Sequence, residues 1–130
     1  MKIIIAMALV ALSGCANIVS YIPSFWDDNQ SAKMADLRLD VLRLDCQQPQ
    51  AAQVLRIRDD LRWFHLYSDS KGLRQTDVIN LIKPMEETVN DFYARVTSPG
   101  HKDNTVYCEL KKRVMTEQAQ RAAKAVLGRF

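Results

Sequence analysis

Between residues 78 and 96 the apolar side chains Val78, Ile82, Met85, Val89, Phe92 and Val96 follow one another at spacings of four, three, four, three and four. Positions three and four apart share one face of an α-helix but fall on both faces of a strand, so this segment reads as a helix with a single buried stripe. Such a stripe needs partners, and the chain carries three more of the same period. Met34, Leu37, Val41 and Leu44 form one, widened by Leu42, while Val54, Ile57, Leu61 and Phe64 form another, continued by Tyr67. The last starts near Thr105 and carries Tyr107, Leu110, Val114, Ala122 and Val126 through an Ala-rich segment that favours helix intrinsically.

The breaks between stripes carry helix punctuation. Asn29 or Ser31 can cap the first helix. Pro49 ends it and suits the first position of the second, where no amide donor is needed. "SDSKG", residues 68–72, supplies a stop in which Gly72 takes the left-handed conformation. The third stripe keeps its phase across Pro84, which predicts one long kinked helix; a break at Lys83-Pro84 into two shorter helices is the alternative. "TSPGHKDN", residues 97–104, is the last loop. Four helices with short connections predict an all-α fold, a small antiparallel four-helix bundle of up-down-up-down topology over residues 31–130.

Ahead of the bundle stands a different kind of segment. Residues 1–14 comprise Lys2, the unbroken apolar run "IIIAMALVAL" and the small residues Ser13 and Gly14, the layout of a secretory signal peptide. The run is too short to span a membrane, which takes about 20 apolar residues. Its end resembles the lipobox of bacterial lipoproteins, with Leu12, Ser13, Gly14 and Cys15 at the four positions of the Leu, small, small, Cys pattern. The resemblance implies cleavage before Cys15, covalent diacylglycerol and an acyl chain on Cys15, and, because Ala16 rather than Asp follows, delivery to the outer membrane. An anchor of two or three chains holds firmly where one chain binds reversibly. Residues 15–30 then form a lipidated tether. Its Tyr21, Phe25 and Trp26 either enter the membrane-water interface or fold back as a cap on the bundle.

With Cys15 taken by lipid, Cys46 and Cys108 remain, and an even remainder in an oxidising compartment predicts one disulfide. The two lie too far apart in sequence to resemble the closely spaced pairs of a zinc site. The predicted topology agrees. Cys46 falls at the end of the first helix and Cys108 at the start of the fourth, which up-down-up-down packing brings to one pole of neighbouring helices. A net charge of +3 neither demands nor excludes an acidic partner, and nucleic acid is not expected in that compartment.

No catalytic constellation stands out. The chain has no GxSxG or HExxH motif, no phosphate-cradling glycine loop and only four glycines, so neither an enzyme nor a small-molecule substrate is expected. His65 has Asp69 one turn later but no third group at matching spacing, so no metal site is predicted. Surface candidates are clearer. "LRIRDDLRW" places Arg56, Arg58 and Arg62 among Asp59 and Asp60, a solvated face with ion pairs along one helix whose Arg and Trp content suits a protein interface. His101 and Lys102, in the loop at the far pole, join these as candidate interaction residues. The final helix gathers Lys111, Lys112, Arg113, Arg121, Lys124 and Arg129 against Glu109 and Glu117, which either faces an anionic surface or is simply solvated.

The resulting expectation is a noncatalytic outer-membrane lipoprotein, facing the periplasm or the exterior, whose helical bundle binds another envelope protein. The alternative is an envelope-structural or membrane-active lipoprotein that bridges lipid to cell wall. Phage-encoded superinfection-exclusion and lysis lipoproteins are similar to it in size and leader.

Overall fold

Each of the four apolar stripes is covered by its neighbours on the ring. The computed structural model describes residues 27–72 and 75–127. The leader, Cys15, the aromatic cluster of Tyr21, Phe25 and Trp26, and Arg129 lie outside the described residues. Among the described residues the elements are α1 (Asp28–Arg43), α2 (Gln50–Ser70), α3 (Thr76–Val96) and α4 (Thr105–Leu127), with no strand. Helix α1 packs on α2, α2 on α3, α3 on α4, and α4 back on α1, closing a four-helix ring. Lys33 meets Asp60 while Asp40 meets Arg56, so α1 and α2 run in opposite directions. The chain therefore goes up, down, up, down.

The stripe of α3 is buried at all six positions, from Val78 to Val96. Its helix continues through Pro84 without interruption. The core also takes Met34, Leu37, Val41 and Leu44 from the α1 side and Val54, Ile57, Leu61 and Phe64 from α2. Fully burying a side chain of this size stabilises by about 1.5–3 kcal/mol before ordering costs, so these residues dominate the fold.

Three expectations need correction. The stripe of α4 holds at its C-terminal end, where Ala122 and Val126 are buried as expected, but not at its start: Leu110 is 53% exposed, Tyr107 is only partly buried, and Cys108, Met115 and Ala119 take the buried positions, with Ala123 beside Ala122. Cys108, Met115, Ala119, Ala122 and Val126 follow one another at helical spacing, and they meet the expected line only at its last two members. Leu42, expected to widen the α1 stripe, is 57% exposed, because one position past the buried Val41 is turned about 100° around the helix. Helix α1 also starts before Ser31. Asp27 is its N-cap, accepting hydrogen bonds from the Asn29 and Gln30 amides at 2.9 and 3.1 Å, so the helix claims residues assigned above to the tether.

The first connection also differs. Helix α1 ends at Arg43, and Pro49 is the N-cap of α2, its extended backbone preceding the helix instead of opening it. Gln53 organises the stretch between: its amide Nε2 donates to the Asp45 and Pro49 carbonyls at 3.0 and 2.9 Å, and its Oε1 accepts from the Asp45 amide at 2.8 Å. Gly72 adopts φ +84°, the left-handed stop expected of it after α2.

Candidate functional site

The antiparallel pairing of α2 and α3 leaves an open groove of about 420 Å³ on the outside of the bundle. Arg58, Arg62, His65 and Leu66 line it from α2, and Glu86, Val89 and Asn90 from α3. Two of the three arginines in the basic run thus belong to one feature. Arg58 lies over the Tyr93 ring, its guanidinium carbon 3.9 Å from the centroid, and approaches Asp59 Oδ1 only at 4.0 Å. Stacking on an aromatic face restricts the guanidinium plane while leaving its N–H edge available. Arg62 is exposed on the same rim and forms no ion pair among the described residues.

Arg56 points elsewhere. Its Nε sits 3.3 Å from Asp40 Oδ2 on α1, and Asp60, expected to pair with it along the helix, instead accepts from Lys33 Nζ at 2.9 Å. Both pairs cross the α1–α2 seam, with Lys33 and Asp40 on α1 facing Asp60 and Arg56 on α2. Burial raises the Asp40 carboxyl above its usual range; Arg56 opposes this, and Asp60 beside it adds to the rise.

His65 does not pair with Asp69. Its Nδ1 lies 2.8 Å from Glu86 Oε1, across the groove on α3. The imidazole is turned toward the neighbouring helix, and opposed residues of two antiparallel helices meet there. Among the described residues no group of three or more His, Cys, Asp or Glu is arranged to hold a metal ion.

At the distal pole Cys46 and Cys108 are joined, with Cα atoms 5.7 Å apart. The surroundings are closely tied. Lys112 Nζ donates to the Leu44 carbonyl at 2.7 Å, capping α1, and the Thr105 hydroxyl reaches the Cys46 carbonyl at 3.4 Å. Asp103 Oδ2 accepts from the Gln50 amide at 3.2 Å, supplying the side-chain cap that Pro49 cannot. The structure separates the two loop candidates. The His101 side chain is only 12% exposed, with Nε2 3.4 Å from Asp103 Oδ1 but off the line of a hydrogen bond, so it packs the loop. Lys102 is exposed.

The proximal pole was not foreseen in the sequence. Gln30 is buried there and donates through Nε2 to Ser68 Oγ at 2.8 Å and to Gln75 Oε1 at 2.9 Å. Around this node Asp27 accepts from Lys71 and from the Tyr67 hydroxyl, and Tyr67 stacks on Trp63 with centroids 4.8 Å apart. Burial would raise the Asp27 carboxyl, but Lys71, the Gln30 amide and Tyr67 together outweigh it and hold the group below its ordinary range. The only forewarning in the sequence was that Asp27 is a capping residue type.

The basic helix is less basic at its surface than its composition. Lys111 is engaged by Asp91 on α3, an ammonium that holds that carboxyl below its usual range, and Lys112 is turned to α1. Arg113, Arg121 and Lys124 remain exposed, with Arg121 3.9 Å from Glu117. Among the described residues no helix is long and apolar enough to cross a membrane.

These features define the class as a disulfide-tied four-helix bundle with a basic, partly apolar groove between its second and third helices. No family model, curated protein or solved structure matches the chain.

Proposed function

We propose that this chain is a noncatalytic lipoprotein of the bacterial outer membrane, anchored through lipid on Cys15, whose bundle binds another envelope protein. The observation that carries this reading is the pairing of a lipobox-like leader, Leu12 to Cys15, with a bundle that leaves Arg58, Arg62 and Leu66 together on one open groove. Arginine beside exposed aliphatic surface is a composition favoured in protein interfaces. Anchoring confines the binder to one surface, so a weak contact suffices for occupancy.

The bridging alternative drew its support from the charge of the last helix. Lys111 is paired with Asp91 and Lys112 with the Leu44 carbonyl, so two of those charges are already engaged by the bundle itself.

Affinity isolation of the full chain from detergent-solubilised envelopes tests the reading. The expected result is a stoichiometric protein partner that survives 0.5 M salt, roughly three times the ionic strength at which exposed charges are already screened beyond about 8 Å. Salt-sensitive sedimentation of an unlipidated form with anionic vesicles or sacculi, and no protein partner, would favour the bridging role instead.

A further inference from the structure

We infer that the α2–α3 groove receives an acidic amphipathic helix, with two carboxylates one turn apart at Arg58 and Arg62 and an aliphatic side chain against Leu66. This rests on the envelope-binding reading and names the kind of segment bound. Arg58, Arg62 and Leu66 stand at successive fourth positions of α2, about 6 Å apart along the helix. A ligand helix lying along the groove presents its own side chains at the same interval. Its first two contacts meet guanidinium groups and its third meets an aliphatic residue.

Charge selects the sign of the occupant. Among the described residues Glu86 is the one carboxylate lining the groove, and it is engaged by His65 at 2.8 Å. Arg58 sits over the Tyr93 ring with Asp59 no nearer than 4.0 Å, and Arg62 is without an ion pair among the described residues. A planar guanidinium matches a carboxylate through two parallel N–H donors, and fixing its plane beforehand lowers the ordering cost of binding. Leu66 is 58% exposed, an aliphatic surface left uncovered among the described residues. Leu61 and Val89 continue it as an apolar floor. A phosphate-bearing surface would satisfy the arginines but would leave this aliphatic line wet, and an acidic helix with an aliphatic edge satisfies both.

The test places a photoreactive residue at Leu66 or Asn90 in the groove, and at Leu42 or Leu110 on the outer faces of α1 and α4, in the full lipidated chain in cells. The expected adducts form at Leu66 and Asn90 and map to a segment with Asp or Glu one turn apart. Arg62→Glu, alone and with Arg58→Glu, lowers the yield, about tenfold for the pair, and changing the two partner carboxylates to Lys restores it. Arg62 is exposed, so its single variant keeps the test independent of any stability lost with the Arg58–Tyr93 stack. Capture of a partner only at Leu42 or Leu110, or groove adducts that are indifferent to the arginine reversals, overturns the acidic-helix proposal and leaves the binding reading standing. Adducts with lipid alone, or none at any of the four positions, overturn both.

Discussion

The two ends of the bundle are fastened by different physics. At the distal pole the Cys46–Cys108 bond ties α1 to α4, and Asp103 and Lys112 close the exposed ends of α2 and α1. At the proximal pole, where α1 begins, the same task falls to side chains: Gln30 joins α1 to α2 and to the residue preceding α3, and Asp27 gathers Tyr67 and Lys71. A covalent tie acts mainly by restricting the unfolded chain and is indifferent to pH and salt, whereas a polar cluster is worth what its burial and its charges make it. The end away from the proposed anchor is thus the rigid one, and the end beside it is conditional.

The sharpest way to break this contrast is to remove the bridge. Cys46→Ala with Cys108→Ala should cost about 4 kcal/mol in the chain-entropy account of so large a loop, lowering Tm by more than about 10 °C in calorimetry. A smaller effect is expected from the proximal node. Gln30→Ala leaves the buried Ser68 hydroxyl and Gln75 carbonyl without their donor, for a loss of about 2 kcal/mol in denaturant unfolding. If that variant costs more than the double cysteine variant, the ranking of the two poles is reversed.

Next comes the distal cap. Asp103→Ala should cost about 1 kcal/mol, the usual worth of a helix N-cap, with local amide exchange at the start of α2 rising and that at the proximal end unchanged.

The smallest effect at neutral pH, and the most diagnostic, is electrostatic. The folded Asp27 carboxyl lies below its ordinary value near 3.8, so the unfolded chain takes up the proton first. Its contribution is complete above that value and disappears as pH falls through the lower folded one. Lys71 is raised above 10.5 by the Asp27 hydrogen bond, with burial opposing and Tyr67 adding to the rise, so its share is complete below 10.5 and is lost as pH climbs through the raised value. Asp40 runs the other way, since burial raises it and its ionisation subtracts stability as pH rises past 3.8. Asp27→Asn should therefore flatten the fall in stability below about pH 5. Asp40→Asn should steepen it, by removing the opposing contribution. Equal slopes in Asp27→Asn and the parent chain would remove the carboxylate from the proximal fastening.

The sequence was most legible where one signal was repeated. Six residues of α3 at a strict period placed that helix, its phase and its passage across Pro84, and the two cysteines located the distal pole. The end of α4 was legible in Ala122 and Val126, but its start was not, because Leu110 and Val114 look more apolar than Cys108 and Ala119, which are the buried positions. Pairings of charged residues were legible only in composition. Arg56 and Asp60 are one turn apart, yet each chose a partner on α1, since cross-helix geometry decides what a spacing along one helix merely permits. For the same reason the groove was half visible: Arg58 and Arg62 stood out, but Tyr93 and the His65–Glu86 pair depend on which residues of α3 oppose them. The Gln30 node gave no signal, because a buried glutamine differs from a solvated one only in its neighbours.

The measurement that bears most directly on the account is the intact mass and peptide map of the full chain extracted from membranes without reductant. The account predicts a chain that begins at Cys15 and carries the mass of a diacylglyceryl group and an acyl chain, with Cys46 and Cys108 joined inside one molecule and no free thiol. A chain that begins elsewhere without lipid, or Cys46 and Cys108 recovered as thiols, would contradict it.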